Sequence, residues 1–299
     1  MLNLERIFRD DRLLRAMTGL NRKAFENLLP SFNEAYQQSR SNPEVVRKRA
    51  PGGGRKATLR TSRDKLFYIL LYCKCYPTFD LMSVLFDFDR SCAWDWVHGL
   101  LPVLEQALGH KQVLPERKVR SMEEFLERFP EVKEVIFHGT ERPVQRPKDP
   151  DKQKEHYSGK KKRHTRKHIT GSTRKKRVIL LTKARAGKIH DKRQLDEEDL
   201  VGNIPDEVAI EGDLGFQGLQ NEFDNVHLPH KKPRGKELSE QQKQENREFS
   251  RQRVACEHAH AGIKRYRSVT DVYRNRVPDF DDRLMLNAAG LWNLYLDAA

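Results

Sequence analysis

The sequence predicts an α/β protein in which an all-helical N-terminal part precedes a mixed β-sheet flanked by helices. Three observations point to it. Apolar residues recur at spacings of three and four through most of the chain before Arg120. After Arg120 the period changes to β-branched, alternating runs bounded by turn signals. Helical patterning then returns in the charged stretch that begins LSEQQKQENREF.

The elements follow in order. LERIFRDDRLLRAM reads as a helix, and Thr18 is placed to cap a second, GLNRKAFENLLPSF, giving a small helical module over 1–42. SNPEVVRKRAPGGGRKATLR has Pro, three consecutive glycines and many cations, the composition of a mobile basic linker over 43–61. From Ser62 the stretches SRDKLFYILLYCKCYP, TFDLMSVLFDF and DRSCAWDWVHGLLPVLEQALG form helix, helix, a turn at Asp87–Asp89, and helix. Over 62–120 this is a helix-turn-helix pattern whose second member would present Arg90 and Trp94 to the major groove; as plain scaffolding the same hairpin would touch no DNA. VKEVIF, HTRKHITGS and RKKRVILLTKA read as strands, the latter two a hairpin through GSTRKK. HDKRQLDEEDLVGNI reads as a capped helix, EVAIEGD as a buried strand ending on an acid, and DNVHLPHKKP as a short strand. A long helix, LSEQQKQENREFSRQRVACEHAHAGIKRYR, follows, and LMLNAAGLWNLYL is a core helix with Trp292 and Tyr295 as packing residues. Three strands, a helix, a strand and later helices give the order of a ribonuclease-H-like domain over 121–299.

Composition narrows the partner. Charged residues make up 33% of the 299 positions and the net charge is +14, so the long-range field favours a polyanion, nucleic acid first. The densest basic segment has almost no large apolar residues, unlike a membrane-surface helix, and the longest apolar run, LFYILLY, is too short to span a bilayer. Cys73, Cys75, Cys92 and Cys256 lack the paired spacing of a zinc site and read as structural thiols of a reducing cytoplasm.

Chemistry on a phosphodiester needs two divalent ions about 4 Å apart, held by carboxylates on converging rigid elements. The end of the first strand, the end of the fourth and the late helix hold His138, Asp213 and Glu257. Asp213 ends VAIEGD just before the glycines of LGFQG. Arg253 lies four residues before Glu257 and Lys264 seven after, which puts the three on one helical face. Taken alone that is the pattern of an exposed salt-bridge ladder, and only its agreement with Asp213 makes Glu257 a site residue. KQKEHYSGKKKRHTRKH supplies Lys160, Lys161, Lys162, Arg163, Arg166 and Lys167 for phosphate contact, and Arg265, Arg267, Arg274 and Arg276 extend the basic surface after the long helix.

GTERPVQRP, HYSGKKKRHTRKH, KARAGKIHDKRQ, GDLGFQGL, EHAHAGIKRYR and YRNR occur in one order, after the helix-turn-helix stretch DKLFYILLYCKCYPTFDLMSVLF. In these motifs the chain resembles the DDE-superfamily transposases of bacterial insertion sequences, in the group related to eukaryotic Harbinger elements, over about residues 60–296. The resemblance implies a ribonuclease-H-like catalytic domain that uses two Mg2+ or Mn2+ ions. It implies binding of double-stranded DNA at terminal inverted repeats, cutting there, and joining to target DNA. A homodimer or larger assembly would pair two ends, in the bacterial cytoplasm at the nucleoid. Asp213 matches the second acid and Glu257 the terminal glutamate. Arg253 and Lys264 match the flanking basic positions, while Ser250 stands where a tyrosine often occurs.

The chain departs from the pattern at one position. Where the family has Asp-Gly-Thr-Glu-Arg-Pro it has His138-Gly-Thr-Glu-Arg-Pro, so the first metal-binding aspartate is missing. Neutral imidazole offers one softer nitrogen and cannot bridge two hard cations as a carboxylate does, so magnesium binding should suffer most. Three outcomes stay open: a decayed copy that still binds DNA, a protein kept for binding alone, or a site in which His138 works with another metal such as manganese. Glu134 lies too far along the strand to replace the aspartate, and Glu141 belongs to an expected Thr-Glu-Arg-Pro turn.

Overall fold

The computed structural model describes residues 2–41 and 57–299, so most of the expected basic linker lies outside the described residues. The chain divides into two compact units. The first comprises residues up to Leu114 with Ile263–Asp271 and Arg283–Ala299, and the second Pro115–Gly262 with Val272–Asp282.

In the first unit the opening helix is two helices, α1 (Leu4–Arg9) and α2 (Asp11–Thr18). Asp10 interrupts them because its carboxylate accepts the N–H groups of Arg12 and Leu13 and so starts a new helix. Thr18 does not cap the next helix. Its hydroxyl donates to Leu14 O at 2.6 Å in the last turn of α2, Gly19 ends that helix in the left-handed region at φ 79°, and Asn21 caps α3 (Arg22–Arg40). A capping box of Thr61 and Asp64 opens α4 (Ser62–Cys75), which is buried along most of its length. The expected turn follows α5 (Phe79–Phe86): Asp87 is left-handed at φ 56°, and α6 (Arg90–His110) begins after Asp89. Tyr68 locks α4 to α6, its hydroxyl donating to Ala93 O at 2.9 Å and its ring meeting Phe86 edge-on. At the start of α6, Arg90 is exposed and pairs with Asp80 at 3.2 Å, and Trp94 is exposed and stacked on His98.

The second unit holds α7 (Met122–Arg128), β1 (Glu134–Pro143), α8 (Pro150–His156), β2 (Tyr157–Ser158) and β3 (Arg163–Ser172). It continues with β4 (Val178–Leu181), β5 (Arg185–Ala186), α9 (Asp191–Glu198), β6 (Ala209–Glu211), β7 (Val226–His227) and α10 (Glu240–Gln252). Strand β3 pairs antiparallel with β1, β2, β4 and β5, whereas β1 with β6 and β6 with β7 are parallel. Antiparallel strands on one side of β1 and parallel ones on the other, flanked by helices, make the ribonuclease-H-like sheet that the element order predicted. Val135, Phe137, Ile169, Leu180, Ile210 and Phe216 form its core.

Two expectations are corrected here. The Thr-Glu-Arg-Pro segment is strand, not turn: β1 runs through it with an unbroken register from Ile136 opposite Ser172 to Pro143 opposite Thr165. Thr140 and Arg142 are buried in that stretch, the guanidinium lying over the Tyr273 ring, so pairing and burial outweigh its turn-like composition. The long helix also breaks. Helix α10 stops at Gln252, Arg253 is its C-cap, and α11 (Val254–Lys264) restarts beyond it. Arg253 therefore does not share a continuous helical face with Glu257 and Lys264.

The last helix, α12 (Phe280–Asp297), contributes its C-terminal part to the first unit. As predicted, Trp292 and Tyr295 pack there: their rings stack 5.8 Å apart, and the Arg265 guanidinium lies 4.0 Å from the Tyr295 ring centre.

Candidate active site

The middle of the sheet places the candidate residues. Strands β1 and β6 run parallel with Ile136 level with Glu211, so two residues further on His138 stands level with Asp213. Their side chains meet: His138 Nδ1 is 3.8 Å from Asp213 Oδ2, within ion-pair reach and beyond a hydrogen bond. Asp213 is fixed by its own turn, since Oδ1 accepts the N–H of Gly215 at 2.7 Å and caps the 3-10 turn Leu214–Phe216.

His138 is held from the helix side of the sheet. Its ring packs edge-to-face on that of His260, centroids 4.5 Å apart. His260 is buried on α11, and its Nε2 lies 2.6 Å from the hydroxyl of Thr170, which is the β3 partner of His138. The His138 imidazole is thus positioned by a strand, a helix and a buried hydroxyl together.

Glu257 is exposed in the first turn of α11, beside Cys256. Cys256 is buried, and burial pushes its thiol above the usual range against an opposing hydrogen bond from Ser172. Among the described residues no three His, Cys, Asp or Glu side chains form a group able to hold a metal ion, so Glu257 does not join His138 and Asp213 in such a group.

The basic residues take different roles. Lys160, Lys161, Lys162 and Arg163 are exposed where the chain turns into β3. Lys167 is buried and pairs with Asp191 at 2.6 Å, and Arg166 pairs with Asp281 at 2.6 Å, so the second half of the run faces into the domain. Arg265 is half-buried and donates to Gly19 O besides covering Tyr295. Arg253 is half-buried, with its guanidinium 5.9 Å from the Phe249 ring centre. Lys264, Arg267, Arg274 and Arg276 are exposed.

One carboxylate near the centre did not stand out in the sequence. A Cβ at Gly139 would come within 2.9 Å of Asp191 Oδ2, and one at Gly215 within 2.7 Å of the same oxygen. The signal available was Asp191 at the start of a helix in GKIHDKRQ, together with glycines directly after His138 and two residues after Asp213. At position 138 an imidazole offers one nitrogen where a carboxylate could bridge two hard cations.

The comparisons with known proteins bear on this centre directly. Residues 137–293 match the profile of the DDE superfamily endonucleases. The chain belongs to that family. The matched span begins at the strand that carries His138 and includes Asp213 and Glu257. The chain is also 27% identical over 285 residues, 95% of each protein, to the probable transposase for insertion sequence element IS702 of Microchaete diplosiphon. No solved structure matches significantly. No helix among the described residues is long and apolar enough to cross a membrane.

Proposed function

We propose that this DDE-family chain is a DNA transposase that binds terminal inverted repeats, hydrolyses a strand at each end and joins the freed hydroxyl to target DNA. The observation that carries the proposal is Asp213, two residues past the end of β6, set beside His138 on the parallel strand β1 at the centre of a sheet of the family's kind. Full-length similarity to a probable insertion-sequence transposase supports it.

In this reading Asp213 and His138, joined by Glu257 only after a rearrangement, would hold the divalent cation, Mg2+ or Mn2+. When bound, the ion lowers the pKa of a water nucleophile and neutralises charge on the phosphate. The residues have separate tasks. Asp213, fixed by Gly215, presents Oδ2 outward. His138 offers Nδ1 toward the same point, its ring orientation set by His260 and Thr170. Glu257, at the start of α11, would reach the centre by a shift of that turn when DNA binds, and Lys264 at the other end of α11 would meet a flanking phosphate. Lys160, Lys161, Lys162, Arg163, Arg267, Arg274 and Arg276 are exposed cations that would follow the DNA backbone, with Arg90 and Trp94 on α6 entering a groove and Arg253 and Arg265 bracing nearby structure. A dimer or larger assembly would pair two transposon ends.

His138 favours a second reading, a transposase-derived protein that binds DNA without cutting it. Strand nicking on DNA that carries the element's own ends, in Mg2+ and separately in Mn2+, separates the two. The transposase reading expects nicking by the native chain in Mn2+ and stronger nicking by His138→Asp in Mg2+. Nicking by the Asp variant alone would establish the binding protein. Normal cleavage by Glu257→Gln would remove Glu257 from the site.

A further inference from the structure

Far along β3 from the partner of His138, the second unit holds a cavity that the reading above leaves unused. Strand β2 is only Tyr157 and Ser158, paired with the start of β3 so that Tyr157 stands opposite His164. Their rings meet edge-on with centroids 5.7 Å apart, and Tyr157 is 44% exposed. Beside them opens a cavity of about 680 Å³ that Arg146, Lys154 and Lys188 also line. These cations come from the loop after β1, from α8, and from the loop between β5 and α9, and each segment is fixed. Gln153 of α8 accepts from Arg146 Nε at 3.0 Å and Nη2 at 2.8 Å, and donates to Pro147 O at 2.8 Å. That anchor is a neutral amide, so it sets the guanidinium in place without cancelling its charge. The backbone N–H of Lys188 donates to Glu155 O at 3.2 Å, and Gly187 lets this loop lie on β3, where a Cβ would clash with Thr165 Oγ1. Lys154 pairs with Asp151 at 3.4 Å, both exposed, and among the described residues no carboxylate lines the cavity.

Two chemistries thus stand side by side. Converging cations without an acid suit a phosphate, and an exposed aromatic ring suits the face of a nucleobase. A paired base keeps its faces stacked inside the duplex, so Tyr157 can meet one only where the strand is unpaired. Exposed Lys160, Lys161, Lys162 and Arg163 follow Tyr157 directly and continue the positive surface away from the cavity. We infer that this cavity holds one unpaired nucleotide of a DNA strand, its base against Tyr157 and its phosphate between Arg146 and Lys188. The inference rests on the DNA-binding reading above and deepens it by naming a single-stranded contact. His164 lies six residues before Thr170, the partner of His138, so the cavity stands about 20 Å along the strand from the centre. That is roughly six base-pair rises, and the nucleotide held there is not the one that is cut.

The test is fluorescence anisotropy of the full chain, without divalent ions, on three labelled DNA probes: a short oligothymidylate, an abasic strand of the same length and charge, and a blunt duplex. The native chain should bind the oligothymidylate roughly tenfold more tightly than the abasic strand, since stacking of one base supplies that difference. Tyr157→Ala should abolish the difference and leave duplex affinity nearly unchanged, and Tyr157→Phe should keep the difference. Arg146→Gln and Lys188→Gln should each weaken both single strands together. If a thermal melt shows that Tyr157→Ala does not fold, the two single strands on the native chain and on Arg146→Gln carry the test. Equal affinity of the native chain for the two single strands would reduce the cavity to a phosphate site and overturn the inference. A difference that survives in Tyr157→Ala would overturn it too, as would thymidine monophosphate that competes as well as unlabelled oligothymidylate, the mark of a small-molecule site. Each of these results, with duplex binding intact, spares the DNA-binding reading. Failure of the native chain to bind any of the three probes would overturn inference and reading together.

Discussion

Gly215→Ala measures how tightly the carboxylates are gathered. The new methyl would lie 2.7 Å from Asp191 Oδ2 and 2.8 Å from Asp213 Oδ1, where an ordinary contact begins near 3.4 Å. Gly215 is not among the residues with positive φ, so alanine meets steric rather than backbone strain. Each oxygen must recede by about 0.6 Å, and forcing one methyl into a filled space costs roughly 1–3 kcal/mol. Asp213 Oδ1 can recede only by giving up the Gly215 N–H that it accepts at 2.7 Å, so the cost should appear as lost stability. The free energy of unfolding in urea should fall by about 1–3 kcal/mol. Gly139→Ala meets the Asp191 carboxylate alone, at 2.9 Å, and should cost less. Urea unfolding of both variants beside the native chain gives the comparison. Native stability in Gly215→Ala would mean that the two carboxylates do not crowd Gly215, and the reasoning would fail.

Three further outcomes are expected. Thr170→Val keeps the shape of the β3 side chain and removes the hydroxyl 2.6 Å from His260 Nε2, which should lower unfolding free energy in urea by about 1–3 kcal/mol; a smaller change would make that hydrogen bond incidental. Burial pushes the His168 imidazole below its ordinary value against the opposing pull of Asp282, so as pH falls below about 6.5 the unfolded chain takes up a proton before the folded one does. Stability should therefore decline with acidification below that point, and His168→Gln should flatten the slope of urea midpoints between pH 7.5 and 5.5. Replacing exposed Lys160, Lys161 and Lys162 by alanine should reduce the dependence of log affinity for DNA on log salt by about 0.9 for each phosphate that is no longer neutralised; an unchanged slope would place the backbone elsewhere.

Much of this was legible in the chain because it depends on local signals. The left-handed turn at Asp87, the helices on either side of it and the strand order around β1 follow from periodicity and turn chemistry. Non-local pairing was less legible. Gly-Thr-Glu-Arg-Pro looks like a turn to any local rule, but β3 gives it a partner residue by residue and buries Thr140 and Arg142. The break at Arg253 was hidden because both halves of the long helix have good helical composition. Thr18 and Asn21 are both acceptable caps, and only the left-handed Gly19 decides between them. His138 and Asp213 could be placed together because both were read at the ends of strands, although β1 runs on past His138 to Pro143. Asp191 could not, since its approach depends on two glycines far apart in sequence and on α9 folding under the sheet.

The Lys167–Asp191 pair has a consequence for how the protein is supplied. A domain whose acids repel one another until metal arrives can fold only where metal is plentiful, and chelation unravels it. Here an internal ammonium already balances one of the acids, within a domain that has its own buried apolar core. Folding of the domain therefore does not wait on a divalent ion to quiet that acid. Chelation should leave the chain folded, with a cooperative thermal melt.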